Sequence, residues 1–420
     1  MAVLFVLGLL ACYRIVFRQH LGSRSALAIT LWFLYVGLGF SGIFIALTEG
    51  IKPIFDPNYV SVFVLLIGIN LSIFGFLRFR AKNISQMFGK IHGQRFLENL
   101  LIISQLLAIG FFLPFSISSL VGDANENRLL INAKIEVLGS YGLLNTMAGA
   151  ASQLFSSSLV MAFIRLASKD NQGRSVFRAA LLIFCSFSYV IYILAYVGRD
   201  GLVYWLMTFI VIYSIFHCHL RIDDRKKIIY FGLFFVIVMS VPFAIITIAR
   251  FFDVDQGAGW SFFEYFGAQI HNFSDYSSIE RPITYGFSSF PVFVSTGCAI
   301  LGLDCLSWSA IQDSVFHKYL SQGKAPWVFG TFVSDFVGDF GNIGALVIIV
   351  IFSLFCTKAC TVTRHGNLFS LSRLLVIVLL FLIPYWGVFY FRFSIANGYF
   401  IVNGIFIIFV SLLQRLRLKN

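Results

Sequence analysis

Charge is scarce in this chain: 12% of its 420 residues are Asp, Glu, Lys or Arg, against about 25% in a soluble globular domain. That scarcity excludes an ordinary soluble fold. The seven cysteines form no Cys-x-x-Cys and no Cys/His metal spacing, which excludes a structural zinc site. No internal repeat, linker or low-complexity tract marks a second domain, so residues 1–420 read as a single domain. Basic residues outnumber acidic ones, giving a formal net charge of +12, yet they sit in short clusters between apolar runs. The pattern is a membrane-topology signal and gives no reason to expect nucleic acid.

What the chain has in abundance is apolar sequence, 59% hydrophobic with a mean hydropathy of +0.87 and fifty Phe. Most apolar runs have the roughly 20 residues needed to cross a hydrocarbon core about 30 Å thick. Backbone groups in lipid must bond to one another, so the expected fold is all-α, a polytopic integral membrane helical bundle. The runs are Ala2 to Tyr13, Ala26 to Leu47, Tyr59 to Leu77, Asn99 to Val121, Val137 to Ile164, Val176 to Val197, Gly201 to Phe216, Ile228 to Ala249, Asn342 to Cys356, Leu374 to Phe391 and Ile395 to Leu413. The first is short and lacks the basic start of a signal peptide, so it reads as a span with its N-terminus outside. With these 11 spans, 22 of the 31 Lys and Arg fall on one side, which the positive-inside rule makes the cytoplasm.

The interval 250–339 is too long, polar and aromatic to be one more connection, and reads as a large periplasmic loop. Within it the apolar run Phe287 to Leu303 carries Pro291 and Gly297 and suits a short or re-entrant helix. On one continuous helix Cys298 and Cys305 would lie about 10 Å apart, too far for a disulfide. They can pair only if Gly302 breaks that helix. The run GDFGNIG, Gly338 to Gly344, lacks the companion motifs of a kinase and reads as a tight approach to the next span, with Asp335 and Asp339 at i,i+4 spacing on the outer face.

Four outer arginines stand near span ends or in the loop: Arg199, Arg250, Arg281 and Arg392. A guanidinium stays charged and binds two oxygens at once, which suits phosphate or pyrophosphate at a membrane surface. Each also suits an interfacial anchor or a local ion pair, as Arg199 with Asp200 or Arg281 with Glu280. His271 and His317 are the outer candidates for a general base. Asp253 and Asp255 form an Asp-x-Asp that would hold a divalent ion, although such tripeptides are common in exposed loops. The loop's rings, Tyr285 and Trp260 among them, suit stacking on sugars as well as the membrane interface. The small-residue span Val137 to Ile164, with Ser140, Asn145, Gly149, Ser152 and Ser156 to Ser158, suits close helix packing or a groove for a lipid chain and its head.

Three stretches, VGRDGLVYWL, FFEYFGAQIHNF and DFGNIGALVIIVIF, in this order around a large late loop, resemble the O-antigen polymerases, or oligosaccharide repeat-unit polymerases. The resemblance implies a glycosyltransferase that joins repeat units carried on undecaprenyl pyrophosphate at the periplasmic face of the bacterial inner membrane. It implies a lipid-linked oligosaccharide, membrane lipid and a chain-length regulator protein as partners, and no cofactor. By position, Arg199, Arg250 and Arg281 become the catalytic arginines gripping the departing pyrophosphate. Neither histidine nor Arg392 matches a motif of that family; His271 is taken as the base from its chemistry, and Asp200, Arg392, His317 and Tyr285 as substrate-binding candidates. An O-antigen ligase and a lipid-linked oligosaccharide flippase remain the alternatives.

Overall fold

Every regular element among the described residues of the computed structural model is helical. Those residues are 2–12, 25–48, 59–88, 91–121, 138, 140–168, 176–196, 198, 200–230, 232, 237, 267–273, 283–303, 308–321, 330–361, 369–390 and 398–416. The α-helices are α1 (Ala2–Cys12), α2 (Ala26–Thr48), α3 (Tyr59–Phe74), α4 (Gln94–Val121), α5 (Leu143–Gln153), α6 (Phe155–Ala167) and α7 (Val176–Ser186). They continue as α8 (Ser188–Ala195), α9 (Asp200–Phe216), α10 (Pro291–Leu301), α11 (Trp308–Ser321), α12 (Phe332–Cys360), α13 (Leu371–Trp386) and α14 (Gly398–Leu416). Seven runs among the described residues are long and apolar enough to cross a membrane: α2, α4, α5 with α6, α7 with α8, α9 with the 3₁₀ turn His217–His219, α12 and α14. Shorter apolar helices are α1, α3, α10 and α13. The chain gathers into two compact units, each assembled from separate stretches of sequence.

The first unit contains 1–80, 259–361 and 379–397. Its helices are apolar on nearly every side, so polar atoms fix their ends. Ser25 lies just before α2, where its hydroxyl accepts from the Ala28 amide at 3.4 Å and donates to the Phe76 carbonyl at 2.7 Å. Tyr35, fully buried, donates to the Pro384 carbonyl in the last turn of α13 at 2.8 Å, satisfying an acceptor the helix end leaves without an intrahelical partner. The first turn of α12 is met in the same way, because Thr331 and Phe332 donate their amides to the carbonyls of Phe389 and Gly387. Helices α3 and α12 approach where side chains are absent. A Cβ on Gly75 would stand 2.7 Å from the Cβ of Cys356 and 3.0 Å from the Ser353 carbonyl oxygen.

Helix α10 has 11 residues, a rise of about 16 Å, half the hydrocarbon thickness. Pro291 opens it, and Gly302 closes it in the left-handed region at φ 65°, with the Leu303 amide donating to the Cys298 carbonyl. The helix break that Cys298 needs for pairing is therefore present, and Cys298 is disulfide-bonded. Helix α12 begins at Phe332, ten residues before the expected span, and bends at Gly341, where φ 69° and ψ 176° are not helical. The expected boundary at Asn342 is thus the far side of a kink.

The second unit contains 81–258, 362–378 and 398–420. Helices α4 and α6 run antiparallel, tied by two polar rungs. Arg165 donates from Nε and Nη2 to the two carboxylate oxygens of Glu98 at 2.5 and 2.8 Å, a bidentate pair buried on both sides. Two turns along each helix, Ser158 donates to Gln105 Oε1 at 2.8 Å. Arg165, which the expected span limit at Ile164 leaves in the connection that follows, is thus a buried helical residue, while Arg178 reaches Glu98 Oε2 at 3.4 Å from a more exposed position. Helix α14 joins through Tyr399, which donates to Ser156 at 2.6 Å, and Asn403, which donates to the Gln153 carbonyl at 3.1 Å. Ser156 and Ser158 of the small-residue span are therefore hydrogen-bonding glue between helices.

Candidate functional site

Four of the eight residues singled out for chemistry, Arg199, Arg250, Arg281 and Arg392, lie outside the described residues, as do Asp253 and Asp255. The other four are placed. Asp200 is half-buried in the first turn of α9, where a carboxylate complements the helix dipole. His317 is exposed on α11. His271 lies in a helical stretch, 267–273, that crosses α2 at its glycine: a Cβ on Gly267 would come within 2.6 Å of the Gly42 nitrogen. Its Nε2 stands 3.3 Å from the Gly42 carbonyl oxygen. A carbonyl only accepts, so this nitrogen carries a proton, and in the neutral ring Nδ1 carries the lone pair.

Tyr285 occupies the most constrained position of the four. It has φ 50°, the left-handed region that a bulky residue rarely enters, and its side chain is 76% exposed. Gly286 follows at φ 92°. Such a conformation costs about 1–2 kcal/mol and persists only where the surroundings enforce it. Here Asp339 enforces it. Its carboxylate, fully buried, accepts from the Thr284 hydroxyl through Oδ1, from the Ser288 amide at 2.9 Å through Oδ1, and from the Ser289 amide at 2.7 Å through Oδ2. The Asp339 carbonyl also accepts from the Tyr285 amide at 2.9 Å.

The turn 284–289 is thereby locked to α12 just before the Gly341 kink, with the phenol ring of Tyr285 displayed outward. A rigidly held ring carrying a hydroxyl can stack on a sugar face and hydrogen-bond its edge. The i,i+4 spacing of Asp335 and Asp339 holds, but Asp339 turns inward to the turn. Thr284, Ser288 and Ser289 were not legible as its partners, since the only local signal is a Thr and two Ser flanking a Tyr-Gly pair. Among the described residues no three His, Cys, Asp or Glu side chains gather to hold a metal.

No protein-family model, curated protein or solved structure matches this chain.

Proposed function

We propose that this chain is a membrane-embedded glycosyltransferase that polymerises undecaprenyl-pyrophosphate-linked O-antigen, or similar surface-polysaccharide, repeat units at the periplasmic face of the bacterial inner membrane. The observation that carries the reading is the strained, outward Tyr285 on its Asp339 clamp, inside the interval that the resemblance assigns to substrate. Helix α10, about half the hydrocarbon thickness in length, supports the re-entrant reading of Phe287 to Leu303 inside the loop 250–339. The disulfide at Cys298 supports the outer placement of that loop, because thiols facing the cytosol stay reduced.

In this mechanism a hydroxyl of the acceptor sugar attacks the anomeric carbon of the donor glycan. The new C–O bond forms as the bond to the pyrophosphate oxygen breaks, and undecaprenyl pyrophosphate leaves with the electron pair. Arg199, Arg250 and Arg281 neutralise that developing charge; by analogy with an oxyanion donor each contributes about 2–4 kcal/mol. The hydroxyl proton passes to His271, whose Nδ1 is the free nitrogen when Nε2–H is held by Gly42. Tyr285 stacks on the glycan, with Asp200, His317 and Arg392 as further contacts.

The test is reaction of the purified protein with a synthetic lipid-linked repeat unit, with and without EDTA. A ladder of lengthened glycans that survives EDTA and disappears in Arg199→Ala and Arg281→Ala is the expected result. Loss of all glycosidic product with a donor that a known polymerase accepts would refute the transferase. Transfer of finished polymer to lipid A-core would make it a ligase, and translocation of unreacted donor across vesicles a flippase.

A further inference from the structure

Two membrane-length runs of the second unit are interrupted at one level. Helices α5 and α6 meet at Leu154, with φ −81° and ψ 7°, and α7 and α8 meet at Phe187, with φ −68° and ψ −10°. Phe155 stacks on Tyr189 with ring centroids 4.3 Å apart, which sets the two interruptions side by side. Around them the polar groups are unusually dense for the middle of an apolar run. Most are matched: Tyr399 to Ser156, Ser158 to Gln105 Oε1, and Trp205 Nε1 to Ser186 at 2.8 Å.

Three are not. The hydroxyls of Ser152 and Ser188 and the Nε2 of Gln105 have no hydrogen-bond partner among the described residues, and all three side chains are fully buried. Residues 152 to 158, which bracket this level on α5 and α6, span about 9 Å of helix, so the three groups share one thin slab. Hydrocarbon offers them nothing, and native interiors leave few such groups unmatched. Three in one slab point to an occupant.

We propose that the second unit holds, between the paired interruptions at Leu154 and Phe187, an occluded site for neutral hydroxyl groups. The chemistry of the unmatched atoms selects that class. Two serine hydroxyls donate or accept, whereas the amide nitrogen only donates, so the occupant presents oxygen lone pairs. The amide N–H turns away a bare cation. An anion finds no counter-charge, because 102–109, 149–160, 183–192 and 399–407 contain no charged residue and Arg165 is committed to Glu98 two turns off. Water and sugar hydroxyls both satisfy this chemistry.

The sign of a substitution distinguishes a filled site from an empty one. If nothing is bound, Ser152→Ala with Ser188→Ala removes two unpaired hydroxyls and raises Tm, while Gln105 is left in place because its Oε1 accepts from Ser158; if hydroxyls are bound, the double variant removes their partners and lowers Tm by several degrees. A fall is expected, and a rise or no change overturns the proposal. Should the double variant not fold, hydroxyl-radical footprinting of the wild-type protein in nanodiscs decides. Phe155 and Tyr189 are expected to oxidise several-fold faster than Phe184, which is exposed on the outside of α7; equal, background oxidation of all three overturns it. Labelling that persists with millimolar soluble repeat-unit oligosaccharide identifies water, and labelling that drops identifies sugar hydroxyls.

Discussion

Asp339→Ala removes the acceptor of three hydrogen bonds at once, two from backbone amides and one from Thr284. Hydrogen bonds to a charged group contribute about 1.5–3 kcal/mol each. Ser288 is only half-buried, so water replaces much of what it loses, while the buried Ser289 amide has no substitute. Relaxation of Tyr285 out of the left-handed region accompanies opening in both proteins and cancels in the comparison. The lost bonds alone lower the cost of locally opening 284–289 by about 3 kcal/mol, roughly a hundredfold. Amide hydrogen exchange of Ser288 and Ser289, read by mass spectrometry on the purified protein, should accelerate by that factor. Asp339→Asn makes a sharper demand. Its Oδ1 keeps Thr284 and Ser288, but its Nδ2 meets the Ser289 N–H donor to donor. Ser289 should therefore lose protection while Ser288 keeps it. Unchanged exchange in the alanine variant, or equal loss at both amides in the asparagine variant, would refute the clamp.

Glu98→Gln leaves the Arg165 guanidinium buried without its carboxylate, which should cost about 3–5 kcal/mol and depress Tm and folded yield in detergent. Glu98→Leu combined with Arg165→Met should recover most of that loss, and a double variant as unstable as the single one would contradict the pairing. Five of the seven cysteines, those at 12, 185, 218, 356 and 360, are free thiols, Cys298 is disulfide-bonded and Cys305 lies outside the described residues. Alkylation of the denatured protein with a maleimide-polymer should therefore add five labels before reduction and seven after. Seven labels without reductant would remove the disulfide and with it one support for an outer α10.

The helices were legible because hydropathy in lipid is a one-dimensional signal, and among the described residues most span limits fell within a turn of those observed, as at Ala26 and Val176, while most of the expected span Ile228 to Ala249 lies outside those residues. Glycine chemistry was legible too: Gly302 ends α10 and Gly341 bends α12 where the sequence asked for breaks. Partnerships were not. Glu98 finds Arg165 across 67 residues, and Tyr35 finds Pro384 across 349, on helices so uniformly apolar that no polar face announces what each meets. Arg165 counts toward topology by its charge whether it lies in water or in a pair, so its burial was invisible. Asp339 suffered the same ambiguity, since its local spacing to Asp335 is real but its ligands come from 50–55 residues upstream.

The paired rungs on α4 and α6 restrict how the second unit can move. Glu98 to Gln105 and Ser158 to Arg165 are equal intervals of seven residues, so a one-turn slip of either helix would strand a guanidinium, a carboxylate and an amide together. Piston-like sliding of α4 against α6 carries that penalty, whereas tilting of α5 at Leu154, beyond both rungs, spares them and works against the bonds of α14 to Gln153 and Ser156. Whatever motion this unit makes, α4 and α6 travel as one piece.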